Sequence, residues 1–267
     1  MQNYALRELG FPFRYVAIRV PSGELGEALA HLSGLGYLGV NCTVPLKEEA
    51  FAWAETVDPE SAAYGSLNTL DLRTGAGLNT DAPGFLDTLA DLRLGSGSRV
   101  LLIGAGGTAR ALARALVGWR PEGGTQGASA ASGAPGSGLA SGPGRHHTGA
   151  IQLVLTNRTH AKAVALAQQV GAEVQEGLDL TGYHLVINTT SAGLSDEPME
   201  LHWPTDHPGV AYDVFYQEHP TQFLIGAHRA GWKTRDGREM LAAQGARALG
   251  WWLGHEVSRE LLRRSLP

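Results

Sequence analysis

The chain has 267 residues, 43% of them hydrophobic, which fits a globular protein long enough for two domains with ordinary cores. A formal net charge of −5 offers no basic field for nucleic acid, and no Lys/Arg cluster exceeds Arg263-Arg264. One cysteine, Cys42, excludes an intrachain disulfide framework; with no leader pattern and no apolar run near the ~20 residues that span a bilayer, the expectation is a cytoplasmic chain without a membrane partner.

Tyr4, Ala5, Leu6 and Leu9 stand at helical spacing and predict a helix over 2–10 stopped by Gly10, after which 13–20 reads as a strand. A second helix is expected over 24–33 and a strand near 37–42. A helix over 46–54 follows, with Pro45 suited to its first turn because the missing N–H has no partner there. This stretch contains the run GVNCTVPLK, Gly39 to Lys47, echoed by Gly65-Ser66-Leu67-Asn68-Thr69 and by Asn79-Thr80-Asp81. A lysine, an aspartate and several amide and hydroxyl side chains thus fall on loops that end short apolar strands, as a site for a polyhydroxylated small molecule requires. Of the 21 basic residues only Lys47, Lys162 and Lys233 are lysines. An ammonium can be tuned to exchange a proton whereas guanidinium stays charged, so Lys47 is a candidate for acid–base chemistry; a solvated lysine at a helix start is the alternative. Cys42 reads as a small buried thiol rather than a nucleophile.

Strands are expected at 100–103, 151–155, 184–187 and 209–214, with helices over 110–117 and 161–170. This alternation predicts an α/β fold with a parallel sheet and helices on its faces. Residues 121–150 are Gly, Ser, Ala and Pro with almost no large apolar side chain, and read as a flexible surface insertion. His146 and His147 inside it lack convergent partners, so no metal site is expected. Gly104, Gly106 and Ala109 satisfy G-x-G-x-x-G/A between a strand and a helix: a tight turn, a close approach for pyrophosphate, and a small residue for helix packing. At the end of the next strand, where a carboxylate would select NAD, stand Asn157, Arg158 and Thr159, which suit the 2′-phosphate of NADP. The helix from Ala242 onward, with Trp251, Trp252 and Leu253, reads as core packing.

Eight collinear segments resemble the shikimate dehydrogenase family: GVNCTVPLK at 39–47, GSLNT at 65–69, GLNTDAPGF at 77–85, LLIGAGGTARA at 101–111, TNRT at 156–159, INTTSAGL at 187–194, YDVFYQEHPTQFL at 212–224 and GREMLAAQGA at 237–246. The resemblance implies two domains around a cleft. One is a substrate-binding domain of mainly parallel sheet over 1–82, to which 237–267 returns; the other is a Rossmann-like NADP-binding domain over 83–236. It implies NADP-dependent, reversible reduction of 3-dehydroshikimate to shikimate in aromatic amino-acid (chorismate) biosynthesis. By position, Lys47 and Asp81 correspond to the catalytic pair. Asn41, Thr43, Asn68 and Gln244 correspond to groups that hold the substrate hydroxyls, and Tyr216 to a tyrosine close to both ligands. Gly104, Ala105, Gly106, Gly107, Thr108, Ala109, Asn157, Arg158 and Thr159 correspond to the cofactor loops, with Thr189, Val214, Gly237 and Met240 near the nicotinamide. A homodimer is compatible with the resemblance.

The family usually opens with a strand and an S-x-S-P loop, whereas Met1-Gln2-Asn3-Tyr4 resembles the residues just after that proline. The expectation is a misassigned start codon, with a weakened truncated product as the alternative; loss of that strand would leave neighbouring strand edges unpaired. Quinate or quinate/shikimate dehydrogenase and a non-catalytic NADP(H)-binding sensor are the competing functions. Intact Lys47 and Asp81 weigh against the sensor.

Overall fold

The computed structural model describes residues 1–92, 94–120, 150–191 and 201–266. The expected insertion, with His146 and His147, lies outside the described residues apart from Ala150. The chain opens with α1 (Gln2–Glu8), α2 (Leu25–Gly34), β1 (Gly39–Asn41), α3 (Lys47–Trp53), β2 (Thr56–Val57), α4 (Pro59–Tyr64), β3 (Thr69–Asp71), β4 (Ala76–Leu78) and α5 (Asp81–Asp87). It continues through β5 (Arg99–Ile103), α6 (Gly107–Gly118), β6 (Gln152–Thr156), α7 (His160–Val170), β7 (Glu173–Val174), β8 (Leu185–Asn188) and β9 (Val210–Asp213). It closes with α8 (Gln222–Arg229), β10 (Lys233–Arg235), α9 (Arg238–Leu253) and α10 (Arg259–Arg263).

Most expected elements form within a few residues of their predicted bounds, and three expectations are corrected. The segment 13–20 is not a strand: Phe13, Val16 and Ile18 are 43–50% exposed, so neither face is buried. Among the described residues its backbone has no partner strand; instead Asn3 clasps Tyr15, accepting from Tyr15 N–H and donating to Tyr15 O, both at 2.7 Å. A side-chain amide here takes the place of one rung of a ladder. Pro45 is not in the first turn of α3, whose N-cap is Leu46; it stands one residue earlier, after a cis peptide bond from Val44. The small sheet, in order β1-β3-β4-β2, is mixed rather than mainly parallel, with β1/β3 and β3/β4 antiparallel and β2/β4 parallel. Only the short turn 72–75 joins β3 to β4, too little chain for a parallel crossover. Gly75 turns it with a positive φ of 69°, and Asp71 fastens it by accepting from Arg73 N–H at 2.8 Å and pairing with the Arg73 guanidinium.

The large sheet is parallel throughout, in order β10-β9-β8-β5-β6-β7. Counted from β5, this is the 3-2-1-4-5-6 order of a doubly wound dinucleotide-binding sheet, with its switch point between β5 and β8. Helices cover both faces, which is why β5 reads as an apolar run: Leu102 packs with Leu112 and Leu116 of α6, while Leu101 lies among Phe223 and Trp232 on the other side.

The two sheets are held together by helices. α4 and α5 meet α6 through the small side chains Ala82, Ala111 and Ala115, with Tyr64 beside them. α5 also packs along α9, where a Cβ on Gly84 would lie 2.7 Å from Gln244 N and 2.9 Å from Gln244 Cα. Only a residue without a side chain permits that approach. α9 begins four residues earlier than expected, at Arg238, and its far end reaches the small sheet, where Trp252 Nε1 donates to Leu70 O at 3.0 Å. We expect Gly84→Val to force the helices apart at a cost of about 1–3 kcal/mol. Thermal unfolding should register a drop of several degrees in Tm; an unchanged Tm would contradict the close crossing.

Candidate active site

A cleft of about 870 Å³ opens between the two sheets. Lys47, the first residue of α3, and Asp81, the first residue of α5, face each other across one wall, with Lys47 Nζ donating to Asp81 Oδ2 at 2.6 Å. Both side chains keep some access to the cleft, at 22% and 15% exposure, so the ammonium is anchored but reachable. Asp81 owes its position to Asn79, whose Oδ1 accepts from the N–H groups of Asp81 (3.0 Å) and Ala82 (3.2 Å), while its Nδ2 donates to Ser66 O at 2.9 Å. From sequence Asn79 stood in a motif without a role of its own; an Asn just ahead of an acidic residue and Pro83 is a helix-start signal that could have supplied one.

The other sequence-predicted polar residues converge on the same wall. Asn41 Nδ2 donates to Asn68 O (3.0 Å) and Thr69 Oγ1 (2.9 Å). Asn68 is buried and its amide is taken up by neighbours: Oδ1 accepts from Thr80 N–H at 2.8 Å and Thr69 Oγ1 at 3.1 Å, and Nδ2 donates to Thr80 Oγ1 at 2.9 Å. Gln244 is held more loosely, with Oε1 receiving two long bonds of 3.4 Å from Asn68 and Thr80 and Nε2 donating once, to Leu241 O at 3.0 Å. Gln244 therefore has a spare donor, whereas Asn68 mainly organises its neighbours. Thr43 and the half-exposed Tyr216 also line the cleft. Cys42 is buried beneath it; burial, with the negative Glu49 adding and Lys47 opposing, pushes the thiol up to about 11, which keeps it protonated and inert at neutral pH.

The opposite wall carries Gly107, Thr108, Val214, Gly237 and Met240. Gly237 touches the carbonyl of Val214 and its N–H donates to Phe215 O at 3.1 Å, so the start of α9 is seated on the loop after β9. Ala105, Gly106 and Ala109 belong to the same turn and helix start, Ala109 fully buried. Gly104 has φ +124° and lies against Thr189 Oγ1, which is itself bonded to Ile103 O at 2.7 Å; no side chain fits there. Space over Gly106 and Gly107 is open, and Gly106 caps α6 without a side-chain bond, leaving its first N–H groups for an anion. Asn157 braces the next loop by donating to Thr159 O at 3.0 Å, and Arg158 and Thr159 are exposed at the carboxyl end of β6. A cradle free of side chains, a helix N-terminus and an exposed guanidinium on adjacent strands fit a phosphorylated dinucleotide.

Beneath the loop after β9, Asp213 is fully buried and holds it through three bonds: Oδ1 accepts from Phe215 N–H (3.1 Å) and Asn188 Nδ2 (3.3 Å), and Oδ2 from Thr221 Oγ1 (2.6 Å). Burial raises its pKa against the pull of those bonds. Among the described residues no group of His, Cys, Asp and Glu is arranged to hold a metal ion, and no helix is long and apolar enough to cross a membrane.

Sheet order, glycine turn and cleft define a two-lobed α/β protein of the dinucleotide-binding class. Residues 1–70 match the family model described as the shikimate dehydrogenase substrate binding domain. A curated shikimate dehydrogenase (NADP+) of Moorella thermoacetica is 35% identical over all of this chain and 86% of its own length. The crystal structure of shikimate 5-dehydrogenase from Thermus thermophilus in complex with NADP(H) and shikimate superposes with a TM-score of 0.78 at 32% identity, covering 98% of this chain and 90% of that one. Shikimate dehydrogenase from Aquifex aeolicus gives a TM-score of 0.78 at 30% identity, with 99% and 90% covered. The chain belongs to the shikimate dehydrogenase family.

Because the folded Asp213 keeps its proton to higher pH than the unfolded chain does, its ionisation weakens the fold progressively as pH rises past ~3.9. Asp213→Asn preserves every hydrogen bond with one donor reversed. We expect the variant to gain stability relative to the parent as pH rises above ~3.9 in urea unfolding; a difference independent of pH would show that Asp213 carries no such penalty.

Proposed function

We propose that this protein catalyses the reversible, NADP-dependent reduction of 3-dehydroshikimate to shikimate in aromatic amino-acid biosynthesis. The observation that carries the reading is the Lys47–Asp81 pair at 2.6 Å, facing a cleft whose other wall is the glycine-lined start of α6 and the Val214–Gly237 contact. Names of relatives that match the whole chain support it. In this reading residues 1–82 with 237–267 form the substrate-binding domain and 83–236 the NADP-binding domain. We place the reaction in the cytoplasm, where a chain with one buried cysteine and no disulfide is at home.

Bound NADPH would supply the hydride for the ketone carbon; Gly104–Ala109 would hold its pyrophosphate, and Arg158 and Thr159 its 2′-phosphate. As the carbonyl oxygen gains negative charge, the Lys47 ammonium donates a proton to it, and the amine is reprotonated from solvent. In the opposite direction neutral Lys47 takes the hydroxyl proton of shikimate. Asp81 keeps Lys47 aimed by a charge-assisted bond. Thr43, Gln244 and Tyr216 hold the ring, Gln244 through its spare N–H, while Asn41 and Asn68 set the shape of the polar wall. Thr189, Val214, Gly237 and Met240 bound the space for the nicotinamide.

Lys47→Ala should lower kcat by about 10²–10⁴-fold while changing KM for 3-dehydroshikimate far less; an unchanged kcat removes Lys47 from the mechanism. Arg158→Ala should raise KM for NADPH by about tenfold or more and leave KM for NADH near its parent value, since only the phosphorylated ribose meets the guanidinium. Equal effects on both nucleotides would refute that contact.

A further inference from the structure

We infer that Arg238 is a positioning residue of the cleft: through the Gln217 carbonyl it holds Tyr216 at the cleft wall and in fixed relation to Gln244. The inference rests on the reading of the cleft as a shikimate site and names a group on which its geometry depends, although that group does not itself line it.

Tyr216 stands on the loop 214–221 between β9 and α8 and is 44% exposed, so side-chain packing does little to fix its ring. Its backbone is fixed instead, and from both sides. The carbonyl before it, Phe215 O, accepts from Gly237 N–H at 3.1 Å, and the carbonyl after it, Gln217 O, accepts from Arg238 Nη2 at 2.6 Å. Consecutive residues at the start of α9 thus bracket the tyrosine. Two such anchors restrict the φ and ψ angles of Tyr216 between them, and with them the direction in which its side chain leaves the backbone. Asp213 accepts from Phe215 N–H and Thr221 Oγ1 and so holds the two ends of the loop, whereas Arg238 holds its middle.

Arg238 is itself held in place. Its N–H donates to Asp236 Oδ1 at 3.0 Å and its Nη1 lies 3.3 Å from Asp236 Oδ2, so one carboxylate ties both ends of the residue and leaves Nη2 aimed at Gln217 O. The bond to Gln217 is charge-assisted, which makes it stronger than a neutral contact. Nε is buried without a partner among the described residues, a cost that the two head-group contacts offset. An apolar side chain of the same length would carry no such cost and make no such bond. Gln244 lies about two turns further along α9. The helix that anchors Tyr216 therefore also carries the amide with a spare N–H, and Arg238 sets the spacing between them.

The test uses the full chain with Arg238→Met, Tyr216→Ala and the double variant, read by hydrogen exchange, calorimetry and steady-state kinetics. Arg238→Met keeps the stem and removes the donor; if it does not fold, Arg238→Gln, polar but shorter, takes its place. Amides of the loop 214–221 should exchange about tenfold faster in the variant. Kd for shikimate and KM for 3-dehydroshikimate should rise about three- to tenfold, the cost of ordering one loosened side chain. Kd for NADPH, whose phosphates meet α6 and Arg158 in this reading, should stay within about twofold, which also certifies the fold. In the Tyr216→Ala background the same substitution should change Kd for shikimate by less than about twofold, because nothing remains for Arg238 to position. A merely structural arginine would give the same change in both backgrounds. Unchanged loop exchange, or an equal loss of shikimate affinity with and without Tyr216, overturns the inference. A parent whose shikimate affinity depends on Arg238 through Tyr216 yet never reduces 3-dehydroshikimate upholds the inference and overturns the catalytic reading. A parent that neither binds nor reduces overturns both.

Discussion

The close crossing of α5 and α9 is the constraint on which the rest of the molecule depends. α5 begins at Asp81, the partner of Lys47, and α9 begins beside Gly237, which sits on Val214 at the end of the large sheet. Where they cross, Gly84 admits the backbone of Gln244, and Gln244 reaches Thr80 and Asn68. One helix contact therefore ties the anchoring carboxylate, the polar wall and the loop after β9 into one frame. The geometry is rigid because its closest approach is backbone against backbone, with no side chain that could rotate to relieve it.

The polar wall illustrates how a buried network is made tolerable and useful together. Asn68, Thr69, Asn79 and Thr80 are all 4% exposed or less, and each would be costly alone. They satisfy one another and the backbone: Asn79 closes the start of α5, while Asn68 joins β3 to the turn before α5. Residues whose donors are all engaged fix positions; residues with spare capacity, Gln244 and Lys47, are left to meet a ligand. Distinguishing those two roles requires counting donors and acceptors, because the same amide side chain serves either.

That distinction also marks what was legible in the sequence. The parallel sheet and the glycine turn were legible because each is carried by a local pattern, apolar runs and G-x-G-x-x-A, whereas the pairing of Lys47 with Asp81 came from the resemblance of whole motifs to a family. The roles of Asn79 and of Tyr15, which donates to Asn41, were not, since they arise from partners 13 to 26 residues away that no periodicity encodes. Segment 13–20 has the composition of a strand yet is not one, because strand propensity is expressed only where a partner edge exists. The mixed small sheet was misread for a related reason: pairing direction is set by the connection 72–75, whereas apolar runs alone do not distinguish parallel from antiparallel neighbours.

The charge in the cleft is fixed by how Lys47 and Asp81 are held. Lys47 stands at the first turn of α3, where a helix dipole would disfavour an ammonium, and the compensation is Asp81 at the first turn of α5, where the dipole favours a carboxylate. The two helix starts thus meet through opposite charges, and the ammonium is kept where a developing oxyanion would find it. Farther along, Asn41 gives its two N–H groups to Asn68 O and Thr69 Oγ1 and accepts from the Tyr15 phenol, so its amide is fixed by the protein. A ligand entering the cleft therefore meets the Lys47 ammonium at a fixed place on this wall, because Asp81 and the two helix starts leave it no other low-energy position.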